Sequence, residues 1–185
     1  MNESDFMEEY NAIFERSLIF SIISRSMGLV SLENLLDKEK YNQRDIFEFG
    51  IHLIMDGRPP ELIDKIFTNL INIETDKERK ILKNIQKDAV FAIQQGISPE
   101  QLMWILNSYV NIDLDKATKK YNELNEFIQK VLAEVLPDRQ VDYMEMYQKF
   151  AEKVANEFYK EKKETLRKWG VIGKNTEEKE KKIWT

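Results

Sequence analysis

Residues 50–74, GIHLIMDGRPPELIDKIFTNLINIE, predict a helical hairpin, and the rest of the chain can be organised around it. An apolar helix runs into Gly57, which can adopt the left-handed conformation that closes a helix C-terminus. Pro59 and Pro60 stop that helix, and Pro60 suits the first turn of the next one because it has no N–H to leave unpaired there. The second helix spaces its apolar residues by three and four, so we expect two apolar faces turned toward each other.

The same pattern recurs 39 residues later, in residues 89–113, AVFAIQQGISPEQLMWILNSYVNID. Gly57 matches Gly96 in this alignment, and Pro60 matches Pro99. A period near 40 residues is typical of two-helix repeats that stack into arrays, so we expect stacked helical hairpins. The alternative is that Gly-x-x-Pro-Glu is only a common way to end one helix and begin another, since two copies are few for a stable array.

The composition predicts an all-α protein and excludes several kinds of site. The 185 residues suit one domain, or one domain with an appended helix, and include only 6 Gly and 4 Pro. Since there is no cysteine and only one histidine, disulfides, thiolate sites and multi-histidine metal sites are excluded. The net charge of -5 does not favour binding to nucleic acid phosphates. We therefore expect no cofactor, no metal, no nucleic acid partner and no catalytic residues.

Hydropathy predicts no membrane span and no export. The richest apolar run, residues 18–23, LIFSII, is far shorter than the roughly 20 residues that a spanning helix needs. The chain does not open with a charged segment, an apolar segment and a small-residue cleavage site. These features favour a cytoplasmic protein.

Further helices are predicted on either side of the two hairpins. Residues 4–27 form the first, with Ser4 as its N-cap and one apolar stripe. Thr75 and Glu78 read as a capping box that opens a helix in which Ile81 is among the buried residues.

Two long helices are predicted to complete the chain. Residues 113–136 carry a heptad seam, and residues 140–169 form a second helix, so the two predict an antiparallel pair. We therefore divide the chain into a helical domain over residues 1–112, a long helical hairpin over 113–169 and a flexible charged tail over 170–185. The hairpin could pair within one chain or between two, in which case it would form a homo-oligomer.

Three ordered pieces resemble the cytoplasmic segment of the flagellar stator protein MotA. Residues 24–33, SRSMGLVSLE, are similar to the family's run of Ser-Arg, a Gly, paired apolar residues and Leu-Glu. Residues 49–53, FGIHL, are similar to its Gly and the apolar helix that follows. Residues 55–57, MDG, and then 61–63, ELI, are similar to its Asp-Gly and its next helix.

The resemblance implies a helical cytoplasmic domain that pushes on the rotor protein FliG through charged side chains. In that family, membrane helices pass ions together with MotB. This chain departs from the pattern, because a second hairpin and two charged amphipathic helices follow residue 80 in place of membrane helices. The resemblance therefore implies contact with a FliG-type rotor protein or with the stator complex, without ion conduction.

On the positions that match the family, Arg25 and Glu33 are the candidate charges. If the helix were continuous, they would lie about two turns apart near one face. The alternative is that both belong to an ordinary solvated face. The full set of candidate partner-binding residues adds three charges of the connector and one aromatic residue: Asp37, Lys38, Arg44 and Trp104.

Trp104 aligns with Lys65 of the first hairpin, so an outward-facing Trp104 would be an aromatic anchor of an interface. The alternative for Trp104 is a core position, and for the connector an ordinary solvated loop. His52 lies among apolar neighbours with no acid or nucleophile placed near it by the sequence, so we interpret it as a structural histidine.

The sequence thus favours a soluble MotA-like helical protein that acts by protein–protein contact in or near the flagellar motor. Its expected location is the cytoplasm, at the inner face of the membrane where the motor sits. The alternative is a helical-repeat adaptor or scaffold unrelated to motility. No enzyme activity is expected.

Overall fold

The computed structural model of the chain describes residues 3–36, 45–110 and 112–135, together with the single positions Lys149 and Lys153. Over these residues the protein is all-α, as the sequence predicts. The helices are α1 (Glu3–Met27), a 3-10 helix η1 (Leu29–Leu35), α2 (Ile46–Met55), α3 (Pro60–Asn72), α4 (Lys77–Gln94), α5 (Pro99–Asn107) and α6 (Leu114–Val135).

The α1 helix is the centre of the fold. It packs against η1, α4, α5 and α6, and every residue from 12 to 23 is buried. The apolar stripe expected for this helix is buried from Tyr10 onward, and burial extends beyond it, because a helix that is surrounded by others is buried on all sides. Even Ser17 lies inside, where its hydroxyl donates to the Ile13 carbonyl at 2.7 Å. The helix already begins at Glu3, so Ser4 is not its N-cap.

A buried ion pair joins α1 to the start of α2. The Arg16 guanidinium, whose side chain is 0% exposed, donates to both Asp45 carboxylate oxygens, at 2.5 and 2.8 Å. Asp45 is also the N-cap of α2 and accepts from the backbone N–H of Phe47 at 3.1 Å. Glu48 adds a second carboxylate 3.8 Å from Arg16, and the Phe47 ring lies 4.5 Å from the guanidinium carbon. The Arg16 side chain therefore binds the residue that caps the start of α2.

Close packing at Gly50 sets α2 against α3 and α4. A Cβ atom at this position would lie 2.5 Å from Phe67 Cζ and 2.8 Å from both Val90 methyl carbons. Phe67 and Val90 are both fully buried. Only glycine therefore allows the three helices to approach this closely.

Ion pairs fasten α3 to α4 on the outside of this contact. Lys87 lies 2.5 Å from Asp64 and also donates to Thr68 at 3.2 Å, while Lys83 lies 2.8 Å from Glu74. The bond from Lys83 holds the pKa of Glu74 below its usual range. Surface pairs of this kind contribute little individually, about 0–1 kcal/mol each; one joins α4 to α3 and the other joins α4 to the turn after α3.

The two predicted helix stops have the same geometry. Gly57 and Gly96 have φ values of 69° and 66°, in the left-handed region. Gly57 donates to the Ile54 carbonyl at 2.9 Å, and Gly96 donates to the corresponding Ile93 carbonyl at 3.1 Å. In both turns the following residue donates to the carbonyl five positions back, which completes a Schellman motif.

The helices on either side of these turns do not match in length. The first hairpin joins helices of 10 and 13 residues, whereas the second joins helices of 18 and 9 residues. The second hairpin also has a full capping box between Ser98 and Gln101, where the first has Pro59 without a side-chain cap. The turn therefore recurs, while a stacked two-copy repeat stays a prediction.

The start of α4 differs from the prediction. Its N-cap is Asp76, which accepts from the Arg79 backbone N–H at 2.9 Å, so the expected capping box at Thr75 is wrong. An Asp one residue later in the chain is the stronger cap and takes that place. Ile81, expected to be buried, is 37% exposed.

The predicted seam on α6 packs inside the same molecule. Its residues Ala117, Leu124, Ile128 and Val131 are buried in the core that α1 and α5 share. Lys120 of α6 lies 2.5 Å from the buried carboxylate of Glu15 on α1. The predicted second long helix, residues 140–169, and the predicted tail, residues 170–185, lie outside the described residues apart from positions 149 and 153. The antiparallel pair and the homo-oligomer stay predictions.

Candidate protein-contact site

A cleft of about 420 Å³ opens between η1 and the last turn of α2. We call it the η1–α2 cleft. It is lined by four apolar and three polar residues: Leu29, Val30, Ile54, Met55, Glu33, His52 and Asp56. The two walls come from the segments 24–33 and 49–57, which include the MotA-like pieces 24–33, 49–53 and 55–57, whereas the piece 61–63 does not line the cleft.

Gly28 builds the first wall by ending α1. Its φ of 85° turns the chain out of the helix, and its carbonyl accepts from the Ser31 hydroxyl at 2.6 Å. The 3-10 helix that follows places Leu32 in the core at 0% exposure and leaves Val30 65% exposed at the rim of the cleft. Glu33 is also exposed on this wall. Val30 and Glu33 therefore place one apolar and one acidic side chain on this wall of the cleft.

The second wall is the carboxyl end of α2. His52 lies in the last turn and is 7% exposed, which agrees with its interpretation as a buried structural histidine. Asp56 is the exposed C-cap residue, and its backbone N–H donates to the His52 carbonyl at 2.9 Å. The carboxyl end of a helix carries partial negative charge. Glu33 on one wall and this helix end on the other both present negative charge to the cleft.

This arrangement favours a positively charged group that also has apolar surface. The walls supply aliphatic side chains, and the rim supplies the Glu33 carboxylate and a helix C-terminus. A lysine or arginine side chain, which has an apolar stem and a cationic head, matches both properties. The cleft does not bring together a nucleophile and a base, and the described part of the chain has no group of three side chains able to hold a metal ion.

Arg25 does not pair with Glu33 on one helix face. The expectation required a continuous helix, whereas α1 ends at Met27 and the chain turns at Gly28. The guanidinium of Arg25 instead donates to the carbonyl of Gly96, in the turn between α4 and α5. Arg25 therefore ties α1 to the second hairpin, and Glu33 alone of the two lines the cleft.

Trp104 is exposed, as one of its two interpretations requires. It lies on α5 with 50% of its surface accessible, and it is not one of the residues that line the cleft. The connector residues Asp37, Lys38 and Arg44 lie outside the described residues. The structure thus brings one predicted contact residue, Glu33, to the cleft.

The buried charges of α1 were not predicted from the sequence. Arg16, Glu9 and Glu15 are 1%, 1% and 5% exposed. The sequence does contain a signal for Glu9, which lies three residues after Phe6 and four before Ile13. Helical spacing therefore places Glu9 on the apolar face that was predicted to be buried.

No helix in the described ranges has both the length and the apolar character required to cross a bilayer. Comparison of the chain with protein-family models, with curated proteins and with solved structures gave no match in any of the three. The resemblance to MotA therefore stays a prediction from the sequence.

Proposed function

We propose that the protein acts by protein–protein contact and that the η1–α2 cleft is the contact site. One observation carries the proposal: Val30, 65% exposed, stands beside Glu33 at the rim of a cleft whose opposite wall ends in Asp56. An apolar patch rimmed by charges is the usual composition of a partner-binding surface.

We infer that the partner belongs to the flagellar motor, as a FliG-type rotor protein or a stator complex. The support is the sequence resemblance, since segments 24–33 and 49–57 form the two walls of this cleft. In this proposal Glu33 receives a basic side chain of the partner, and Val30 covers its stem. The proposed role is contact alone, without ion conduction.

The proposal is tested by titrating the purified protein with the FliG-type rotor protein of the same organism. We expect Glu33→Lys to weaken binding about tenfold, because a charge reversal at a rim position replaces an attraction with a repulsion. Glu126→Lys is the matched control, since it makes the same change at an exposed site of α6, which packs on α1 and α5. Equal affinity of the wild type and the Glu33→Lys variant would rule out the cleft.

A helical-repeat adaptor unrelated to motility is the second candidate. It is favoured by the identical turns at Gly57 and Gly96 and by the exposed Trp104. A deletion strain that swims normally would favour this adaptor over the motor protein. In that case Trp104→Ala should weaken binding to the adaptor's partner, whereas Glu33→Lys should not.

A further inference from the structure

Glu9 is a buried acid that makes no hydrogen bond within the described residues. It is 1% exposed, and neither carboxylate oxygen has a hydrogen-bond partner. The neighbouring Tyr10 is also 1% exposed and its hydroxyl likewise has no partner. A buried carboxylate without hydrogen bonds costs several kcal/mol when charged but much less as the neutral acid.

The charges that face Glu9 come from its own helix and from the start of α4. Asp5 lies one turn earlier on α1, and Asp76 is the N-cap of α4; both disfavour a negative charge at Glu9. Arg79, in the first turn of α4, favours it. Burial outweighs the arginine, so the pKa of Glu9 rises from its ordinary value of 4.5 to about 7.

We propose that the contact between the first turns of α1 and the start of α4 is a pH-sensitive switch: Glu9 packs there as the neutral acid, and loss of its proton loosens residues 3–11. The proposal concerns a different part of the molecule from the η1–α2 cleft and does not depend on it. Its source is the placement of an unpaired acid at 1% exposure between two helices.

The loosening should stay local because burial along α1 is uneven. Residues 4–8 are half-buried or exposed, whereas residues 12–23 are buried throughout. The bond between Arg16 and Asp45 also holds the second part of the helix in place. A charge at Glu9 therefore acts on the turns that have the least packing to lose.

The experiment is hydrogen exchange of the amides of residues 6–11 in the full chain, with rates corrected for the intrinsic effect of pH. From the pKa of about 7 in the folded state and 4.5 in the open state, protection should fall about 70-fold between about pH 5 and about pH 8. Glu9→Gln keeps the shape without the charge, so its protection should stay constant over the same range. Glu8→Gln, one residue away and exposed, is the matched control and should behave as the wild type.

Two charge variants keep the proposal testable if Glu9→Gln does not fold. Arg79→Gln removes the favourable charge and raises the folded-state pKa further, so the loss of protection should become larger and extend to higher pH. Asp5→Asn removes an unfavourable charge, so the loss should become smaller and end at lower pH. Protection that is constant in the wild type, or that falls equally in Glu9→Gln, would overturn the proposal, as would a Glu9 carboxyl that titrates near 4.5 in a direct NMR measurement.

Discussion

Gly50→Ala should destabilise the protein by about 2 kcal/mol, although alanine favours helices over glycine. The added methyl carbon would lie 2.5 Å from Phe67 Cζ and 2.8 Å from the two Val90 methyl carbons. Overpacking of a buried site typically costs about 1–3 kcal/mol, and the gain in helix propensity returns up to about 1 kcal/mol. The net loss therefore depends on whether the two neighbours can move aside.

Neither neighbour has room to move. The Phe67 ring lies between those of Phe49 and Phe91, with centroids 6.4 and 6.3 Å away, and it is 0% exposed. Val90 is also 0% exposed, and a β-branched side chain has one strongly preferred rotamer in a helix. This places the steric cost near the upper end of its range.

Urea denaturation followed by circular dichroism measures the effect. Phe67→Leu supplies the control background, because a shorter side chain leaves space for the new methyl group. We expect Gly50→Ala to cost at least about 0.5 kcal/mol less in that background, as residues in contact couple by about 0.5–3 kcal/mol. A Gly50→Ala protein as stable as the wild type would show that α2 does not approach α3 and α4 this closely.

Three further predictions follow from the same contacts. Arg16→Met should cost about 3–5 kcal/mol in urea denaturation, because it leaves buried carboxylates without their cation, whereas exposed Arg58→Met should stay within about 0.5 kcal/mol of the wild type. Gly57→Ala and Gly96→Ala should each lower the free energy of unfolding by about 1 kcal/mol. The two losses should be equal, because a Cβ atom at either position meets nothing within 4 Å and only the left-handed backbone disfavours alanine. Unequal losses in urea denaturation would contradict the shared turn geometry. The raised pKa of Glu9 means that the unfolded state loses its proton first. Stability is therefore greatest below the ordinary pKa of 4.5 and falls by about 2.5 kcal/mol between about pH 5 and about pH 8, a loss that Glu9→Gln should remove.

Local signals in the sequence were sufficient for the helices and their turns. Gly57 and Gly96 end α2 and α4 as predicted, because left-handed helix stops depend on one residue and its neighbours. The first residues of α3 and α5 follow from Pro60 and Pro99, where the two helices begin. Thr75 shows the limit of such signals, since two adjacent cap residues compete and only the structure identifies Asp76 as the one used.

Contacts between residues that are far apart in the chain could not be predicted from the sequence. Arg16 and Asp45 are 29 residues apart, and no periodicity relates them. The close approach at Gly50 depends on side chains from two later helices. For the candidate site, the sequence predicted Glu33 but placed it on a helix continuous with Arg25, because the effect of Gly28 on the chain direction cannot be read from one glycine.

Replacement of Val30 with a photo-crosslinking amino acid in motile cells tests whether the η1–α2 cleft contacts the motor. We expect this position to crosslink to a FliG-type rotor protein or to a stator protein. The same crosslinker at Leu114, a large apolar residue that is 50% exposed at the start of α6, should not crosslink to either motor protein. A protein that crosslinks to neither motor component from Val30, or equally from both positions, would contradict contact through the η1–α2 cleft.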